Sequence, residues 1–318
     1  MKKIFITGGS GTVGTSFIKQ YYDKYQFFSY SRNEKMQVSL KRKFNKVQII
    51  LGAVEDKLSL ENNMAKVQPD IIIHAAALKH VDTAEISPIQ AIKSNIIGSL
   101  NVIEAAVNNN VPSTIAISTD KACSADNNYG YTKLLMEKIF LEAHTKKNKF
   151  TVCRFGNVSH SHGSVIPFWL RLKAENKPLL LTHKLMNRLM FSREEAVKLV
   201  HKAIINTNKE DETFILSQKM KSVNMFELAN TISDKIKDIG IRPGEKLNET
   251  LISENEVPYT FVNGKFITIR NYKNKGKNSL DGKYSSENAE FMTRKEMIKA
   301  VAETNKSLER SLLESRIY

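Results

Sequence analysis

Short hydrophobic runs alternate with amphipathic stretches along the first half of this 318-residue chain. Apolar residues between Ile89 and Asn108 recur every three or four positions, which predicts a helix with one buried face. The short runs predict buried strands. They lie at Lys3–Thr7, Phe27–Tyr30, Val47–Leu51, within Pro69–Val81, at Thr114–Ile117 and at Phe150–Phe155. This alternation is typical of an α/β fold and predicts a Rossmann-type doubly wound parallel sheet.

The second half of the chain has a less regular pattern. Ser192, with acidic residues in the turn that follows it, marks a capped helix start. Phe214–Leu216 is predicted to be the last strand, and the amphipathic pattern from Asn224 to Ile239 predicts a helix. A charged stretch at Lys273–Gly282 predicts a loop, and the segment after Ser285 predicts a C-terminal helix.

A glycine-rich turn joins the first predicted strand to the first predicted helix. Gly8, Gly11 and Gly14 have the spacing G-x-x-G-x-x-G. Glycine permits a tight turn and lets the backbone approach a pyrophosphate at the positive end of the helix. The small residues Ala75–Ala77 after the fourth strand leave room for the pyrophosphate bridge. These features predict a dinucleotide site.

The end of the second strand indicates which dinucleotide. NAD sites place a carboxylate there for the ribose 2′-hydroxyl, whereas this chain has Ser31, Arg32 and Asn33. Because an arginine suits a 2′-phosphate, NADP is the predicted cofactor. The alternative is that Arg32 only caps a surface turn.

Side chains capable of acid–base chemistry are concentrated between Ile117 and Lys133. Tyr129 and Lys133 are one helical turn apart and would share a helix face. There the ammonium would lower the phenol pKa, giving a base that takes a hydroxyl proton while hydride leaves the same carbon. Asp120 and Lys121, at a strand end, could serve a second proton transfer. The alternative is two solvated residues on a helix.

Two further groups of polar residues follow. Arg242 and Glu245 in I-G-I-R-P-G-E-K-L could hold a diphosphate and a ribose, or could form a structural ion pair at a turn. His160 and His162 are two residues apart and have no evident carboxylate partner. No metal site is therefore predicted.

Composition limits the class of protein. A hydrophobic content of 41% fits a globular core, and no apolar stretch reaches the roughly 18 to 20 residues that cross a bilayer. Cys123 and Cys153 suggest no disulfide framework, and the first residues lack a signal-peptide pattern. A soluble cytoplasmic protein is predicted. The net charge of +15 comes from scattered lysines without a nucleic-acid-binding motif, so no nucleic-acid partner is predicted.

Several motifs together resemble a known family. They are the glycine turn, A-A-A-L-K-H-V, S-T-D-K-A, Y-G-Y-T-K, F-G-N-V, G-S-V-I-P-F and I-G-I-R-P-G-E-K-L, and they span nearly the whole chain. The chain resembles the extended short-chain dehydrogenase/reductases. More narrowly, it resembles the soluble, C5-inverting UDP-N-acetylglucosamine 4,6-dehydratases of the polysaccharide biosynthesis protein family. The Thr-Asp-Lys triplet is the specific feature, because relatives that act on dTDP-glucose carry Thr-Asp-Glu.

The resemblance implies a role for each group of residues. The implied catalytic set is Thr119, Asp120, Lys121, Tyr129 and Lys133. The implied cofactor contacts are Gly8, Ser10, Gly11, Thr12, Val13, Gly14, Ser31, Arg32, Ala75, Ala76 and Ala77, with Tyr129 and Lys133. The implied substrate contacts are Lys79, Asn157, Arg242 and Glu245, for a UDP-sugar. The implied dinucleotide-binding domain comprises residues 1–160 with about 189–216, a smaller substrate domain lies mainly in 161–318, and the assembly is a homo-oligomer, either a dimer or a hexamer.

The implied reaction is an internal redox dehydration, a hydro-lyase activity. Tyr129 takes the C4 hydroxyl proton as hydride passes to NADP, Lys121 removes the C5 proton, and Asp120 protonates the departing C6 oxygen. Lys121 must then be partly neutral, and nearby Lys133 and the oxidised nicotinamide would lower its pKa. One rival is a nucleotide-sugar 4-epimerase, which needs no Asp-Lys pair. The other is an NADP-sensing binding protein that does not turn over.

Five positions depart from the family pattern. Ala53 replaces an aspartate near adenine, Asp82 replaces a proline, and Asn187 lies where the threonine of M-T-R is expected. His160 and His162 replace a glycine and an arginine. These departures concern the substrate more than the cofactor.

Overall fold

The computed structural model describes residues 1–159, 161, 163–275 and 278–316, with the backbone alone at 307 and 309–316. His160 and His162, and Gly276 and Lys277 of the predicted loop, lie outside the described residues. The strands are β1 (Lys3–Thr7), β2 (Gln26–Ser31), β3 (Gln48–Leu51), β4 (Ile71–His74), β5 (Ser113–Thr119), β6 (Lys149–Phe155), β7 (Asn157–Val158), β8 (Leu179–Leu181), β9 (Asn187–Phe191), β10 (Ile215–Gln218), β11 (Lys221–Asn224), β12 (Ile236–Asp238), β13 (Thr250–Ile252), β14 (Thr260–Asn263), β15 (Phe266–Ile269) and β16 (Tyr284–Ser285).

Helices connect most of the strands of the first half, and further helices follow in the second half. The α-helices of the described residues are α1 (Thr12–Tyr21), α2 (Glu34–Lys43), α3 (Lys57–Val67), α4 (Val81–Ile86), α5 (Pro88–Ile92), α6 (Gly98–Asn108), α7 (Asn128–Glu142), α8 (Val165–Ala174), α9 (Arg193–Lys209), α10 (Met225–Asn230) and α11 (Arg294–Arg316). A π-helical turn at Lys93–Ile97 joins α5 to α6, so the helix predicted over Ile89–Asn108 is confirmed with one irregular turn. A short 3₁₀ turn, Asp120–Ala122, follows β5.

The main sheet has nine strands in the order β14-β15-β10-β6-β5-β4-β1-β2-β3. Seven neighbouring strands of this sheet are parallel to one another, namely β10, β6, β5, β4, β1, β2 and β3. The order β3-β2-β1-β4-β5-β6 is that of a dinucleotide-binding doubly wound sheet. The predicted fold class is therefore confirmed.

Helices cover both faces of this sheet, as the neighbours of strand β6 demonstrate. The Phe150 ring packs edge-on against Phe140 of α7, while the Thr151 hydroxyl bonds the Thr207 hydroxyl of α9 at 2.7 Å. Consecutive strand residues point to opposite faces, so α7 and α9 lie on opposite sides of the sheet.

Phe214–Leu216 is not the last strand, contrary to the sequence prediction. Strand β10 occupies this region, and β14 and β15 form a hairpin that adds two antiparallel strands beside it. The hairpin turns at Gly264 and Lys265, because Asn263 pairs with Phe266, and Gly264 has a φ of 59°. Glycine at the first position of a two-residue turn between two apolar runs is a hairpin signal, so this part of the sheet could have been predicted.

The helix predicted from Asn224 to Ile239 is wrong in its length. Helix α10 ends at Asn230, and the chain then enters β12, which pairs with β8. Polar side chains bond the local backbone at this point: Thr231 donates to the Leu228 carbonyl, and Ser233 Oγ accepts from Lys235 N. Such bonds compete with continued helix formation.

Two groups of buried apolar residues form the interior. The larger group fills the space between the main sheet and its helices. The smaller one surrounds Trp169 and includes residues of α8, β8, α10 and α11. The division into a dinucleotide-binding domain and a smaller substrate domain stays a prediction.

Two properties of the described residues bear on location and metals. Among them, no helix combines the length and apolar character that a bilayer span requires. Within the same part of the chain, no three His, Cys, Asp or Glu side chains are grouped as metal ligands. The cytoplasmic location stays a prediction.

Candidate active site

The glycine turn between β1 and α1 has little space for side chains. Gly8 has a φ of +70°, and a Cβ there would lie 2.8 Å from Ala76 N. A Cβ on Gly14 would lie 2.5 Å from the Gly9 carbonyl oxygen. Ser10, Thr12 and Val13 lie in the same turn and the first turn of α1, which begins after Gly11. This close backbone approach fits a pyrophosphate at the helix N-terminus.

The segment Ala75–Ala77 is fixed beside the glycine turn by Asn95, a residue that the sequence analysis missed. Asn95 is buried in the π-helical turn and bonds both the amide and the carbonyl of Leu78, at 2.8 and 3.0 Å. Its amide also donates to Thr132 Oγ1 on α7 at 3.0 Å. A π-turn is frequent at functional sites, and a buried asparagine within an apolar helix pattern was the available signal.

Arg32 follows β2, as the sequence predicts, but it does not stand alone there. Its guanidinium lies 3.6 Å from the Glu55 carboxylate, which follows β3, and its side chain is 67% exposed. Ser31 ends the strand next to it. The exposed guanidinium is available to a ligand phosphate, although a neighbouring acid shares it.

The polar residues at the end of β5 form a compact cluster. Thr119 Oγ1 donates to Asp120 Oδ1 at 2.9 Å, and Lys121 Nζ donates to the same oxygen at 3.1 Å. Asp120 is fully buried, and its second oxygen, Oδ2, has no hydrogen-bond partner among the described residues. An unpaired buried carboxylate oxygen is costly, so it is suited to a ligand hydroxyl.

Tyr129 and Lys133 lie in α7 as predicted, but their electrostatic relation differs from the prediction. Lys133 Nζ donates to the Ile117 carbonyl at 2.6 Å and to the Met136 sulfur at 2.8 Å. Burial lowers the pKa of Lys133 to about 7, although Glu137 opposes this shift. The lysine therefore bonds the sheet rather than acting on the phenol.

Burial raises the pKa of Tyr129 to about 12. The Lys121 ammonium and a hydrogen bond with Thr119 act to lower it, while Asp120 acts to raise it. The expected lowering of the phenol pKa by Lys133 is thus wrong. The cation that acts on the phenol is Lys121.

The expected depression of the Lys121 pKa is also wrong. Burial does lower it, but the charges of Asp120 and Glu249 outweigh burial and the opposing charge of Arg188, so the pKa is raised. Glu249 was missed by the sequence analysis, and its Oε1 lies 3.2 Å from Lys121 Nζ. It lies four residues beyond Glu245, and nothing in its spacing indicates Lys121 as its partner.

Two of the predicted substrate contacts, Arg242 and Glu245, lie beside the start of α7. Arg242 Nη2 lies 2.6 Å from Glu245 Oε1, and Nη1 lies 3.9 Å from Asp82. The turn between Arg242 and Glu245 is fixed to α7 because Asn127 Nδ2 donates to the Gly244 carbonyl at 2.9 Å. Both alternatives for the pair stay open, because an ion pair exists and the guanidinium is 54% exposed.

The other substrate contacts and departures have the following positions. Lys79 is exposed just before α4. Asn157 is half-buried in β7, which pairs with β9. Asn187 donates to Asn248 Oδ1 at 3.0 Å. The Ala53 carbonyl accepts from the Tyr30 hydroxyl at 3.0 Å.

Comparison with known proteins places this arrangement in a family. A family model described as polysaccharide biosynthesis protein matches residues 4–271. The chain belongs to this family. An inverting UDP-N-acetylglucosamine 4,6-dehydratase from Campylobacter jejuni is 40% identical over 272 residues, which cover 82% of this chain and 80% of the relative. A UDP-glucose 4-epimerase from Rickettsia massiliae is 35% identical over 274 residues, covering 80% and 79%.

A solved structure is similar to this chain in its fold as well as in its sequence. The X-ray structure of Pen from Bacillus thuringiensis matches this chain with a TM-score of 0.88 and 29% identity. The match covers 96% of this chain and 98% of the other. The resemblance stated from the sequence motifs is confirmed, and the relatives are enzymes that modify sugar nucleotides.

Proposed function

We propose that this protein is an NADP-dependent hydro-lyase that dehydrates a UDP-N-acetylhexosamine, UDP-N-acetylglucosamine above all, to a 4-keto-6-deoxy sugar with inversion at C5. The observation that carries the proposal is the Asp120–Lys121 pair beside Tyr129, since both charges act on the phenol. Dehydration needs an acid and a base besides the tyrosine, whereas epimerisation does not. The likeness to the Campylobacter jejuni dehydratase supports the same substrate.

The cofactor would be held by the glycine turn, with Arg32 on the 2′-phosphate and Lys133 and Tyr129 near its reactive end. The positive φ of Gly8 and the lack of space for a Cβ on Gly14 fit such a group. When bound, NADP supplies the hydride acceptor for C4 and the hydride donor for C6. The protein residues supply the proton transfers.

The hydrogen bond between Lys121 and Asp120 offers a way to prepare both the base and the acid at once. A proton that moves from Lys121 Nζ to Asp120 Oδ1, 3.1 Å away, leaves a neutral amine and a carboxylic acid without changing the net charge. Lys121 then takes the C5 proton, and Asp120 gives its proton to the C6 oxygen as water leaves. The ion pair is thereby restored.

An assay with purified protein tests the reaction. UDP-N-acetylglucosamine and NADP would be incubated with the protein in D₂O and followed by NMR. We expect a 4-keto-6-deoxy product that carries deuterium at C5, because the proton removed there exchanges with solvent. A sugar that keeps its C6 oxygen would exclude the proposed dehydration.

A nucleotide-sugar 4-epimerase is the second candidate, favoured by the 35% identity to the Rickettsia massiliae UDP-glucose 4-epimerase. It requires the tyrosine and the cofactor but gives no role to Asp120 and Lys121. The same NMR assay distinguishes the two, because an epimerase product retains its C6 hydroxyl and carries no deuterium at C5.

Arg32→Asp should reverse the cofactor preference from NADP to NAD. A charge-assisted hydrogen bond to the 2′-phosphate is worth about 1.5 to 3 kcal/mol, so NADP should bind roughly 10- to 100-fold more weakly. Titration calorimetry with NADP and NAD measures both constants. Lys43→Asp, at the far end of α2, carries the same charge change and should keep the preference. Equal affinity of the wild type for both cofactors would contradict the assignment.

Arg242→Ala should raise KM more than it lowers kcat. A guanidinium that holds the UDP part binds the ground state and the transition state equally, and its loss should raise KM by about 10- to 100-fold. Steady-state kinetics would be compared with Arg294→Ala, which removes an exposed arginine at the start of α11. A fall in kcat at constant KM would place Arg242 among the catalytic residues.

The proposal includes a homo-oligomer, either a dimer or a hexamer. Apolar side chains are exposed on the packed helices α6 and α7 and on the segment before them. They are Ile89, Ile92, Ile97, Leu100, Val107, Tyr131 and Leu135. Exposed apolar patches of this kind mark protein–protein contacts.

A further inference from the structure

Lys121 lies between two carboxylates that come from distant parts of the chain. Asp120 Oδ1 is 3.1 Å from Nζ, and Glu249 Oε1 is 3.2 Å from it. The Glu249 side chain is only 4% exposed. The group proposed as the C5 base is thus paired across two segments rather than by its neighbour alone.

The backbone of Glu249 is held in place from both sides. Its amide donates to Ser286 Oγ at 2.9 Å, and its carbonyl accepts from Ser286 N at 2.9 Å. Two residues earlier, the Leu247 carbonyl accepts from Asn187 N and from Arg188 Nη1. The carboxylate therefore starts from a fixed position next to Lys121.

A second carboxylate is not needed to neutralise Lys121. Asp120 already provides one counter-ion at hydrogen-bond distance, and burying a further charge costs several kcal/mol before pairing. The charged and titratable groups that act on Lys121 or on which it acts are Asp120, Glu249, Arg188 and Tyr129. Of the two carboxylates, only Glu249 has no step in the proposed dehydration.

We propose that Glu249 is a positioning residue that holds Lys121 as an ammonium beside Asp120 and sets the pH at which it becomes a neutral amine. This inference rests on the proposed function. While the Lys121 proton resides on Asp120, Glu249 accepts a hydrogen bond from the amine. It thereby orients the lone pair that takes the C5 proton.

The test measures the titration of Lys121 directly in the ligand-free protein. Lysine labelled with ¹³C at Cε gives one NMR signal per residue, and the Lys121 signal is the one absent from Lys121→Met. In Glu249→Gln, which keeps an acceptor oxygen but removes the charge, the midpoint should fall by about 1 to 3 pH units. Glu254→Gln removes an exposed carboxylate five residues further along and should leave the midpoint unchanged.

Turnover gives a second readout. The pH dependence of kcat with UDP-N-acetylglucosamine should shift in Glu249→Gln in the same direction and by a similar amount, with KM nearly unchanged. Glu249→Asp should shift the midpoint less, and it replaces Glu249→Gln if that variant does not fold. If the wild type leaves UDP-N-acetylglucosamine unchanged while the Lys121 midpoint still falls, the proposed function fails and the control of Lys121 by Glu249 stands. An unchanged Lys121 midpoint in both Glu249 variants would overturn the inference and leave a structural ion pair.

Discussion

Lys121→Met should abolish most of the dehydration while NADP still binds and the first hydride transfer still proceeds. Methionine fills a similar volume but cannot take the C5 proton. The loss of a positioned base should slow elimination by roughly 10² to 10⁴-fold. Single-turnover measurements with UDP-N-acetylglucosamine separate the steps, because reduced cofactor absorbs near-ultraviolet light and should accumulate when elimination stalls.

The pH dependence of the dehydration rate should reflect the charges around Lys121. Asp120 and Glu249 outweigh burial and raise its pKa above its ordinary value. The proposed transfer of the Lys121 proton to Asp120 leaves the number of protons on the pair unchanged, so the wild-type rate should stay level above neutrality and fall only when the pair loses its proton at high pH. Lys121→Met should lose this fall at high pH, and deuterium from D₂O should no longer enter C5.

A neighbouring lysine provides the control for this substitution. Lys246 Nζ lies 3.3 Å from Asp126 in the loop that precedes α7, and it takes no part in the proposed chemistry. Lys246→Met should keep the wild-type rate within a few fold. A Lys121→Met protein that forms the 4-keto-6-deoxy sugar at a near wild-type rate would assign Lys121 a purely structural role.

The parallel part of the fold could be predicted because its information is local. Each strand from β1 to β6 is a short apolar run, and the glycine turn marks the first crossover. Strands β14 and β15 were missed although Gly264 marks their turn. Helix α10 was predicted too long because hydrophobic periodicity does not show where side chains bond the backbone. One such hydrogen bond is that from Lys235 N to Ser233 Oγ.

The site could be predicted only in part for the same reason. Thr119, Asp120, Lys121 and Tyr129 lie close in sequence, so their proximity follows from one strand end and one helix. Glu249 contacts Lys121 from 128 positions further along the chain, and spacing does not encode such a contact. The pKa of Tyr129 was predicted with the wrong sign because it depends on burial. The pKa of Lys121 was predicted with the wrong sign because Glu249 adds to the charge of Asp120, and only the fold reveals that contact.

Arg154→Met should destabilise the protein by about 3 to 5 kcal/mol, since removing one partner of a buried ion pair leaves uncompensated charge. Arg154 and Glu137 are each 1% exposed and form two hydrogen bonds, at 3.0 and 2.7 Å. Arg154 also bonds both oxygens of Glu256, at 3.0 and 2.8 Å. The Glu256 carboxylate accepts from Cys123 Sγ at 3.3 Å, which connects this cluster to the loop that carries Lys121.

Urea denaturation measures the change in the free energy of unfolding, with an exposed pair as the matched control. Lys46 and Asp23 are 3.0 Å apart, with side chains 68% and 82% exposed. Because exposed pairs contribute about 0 to 1 kcal/mol, Lys46→Met should have little effect. Methionine in place of Arg154 leaves the buried Glu137 carboxylate and the partly buried Glu256 carboxylate without their shared cation. Protonation or partial unfolding would then relieve the cost. If Arg154→Met lost no more stability than Lys46→Met, the cluster would contribute nothing to holding the loop after β5 against α7.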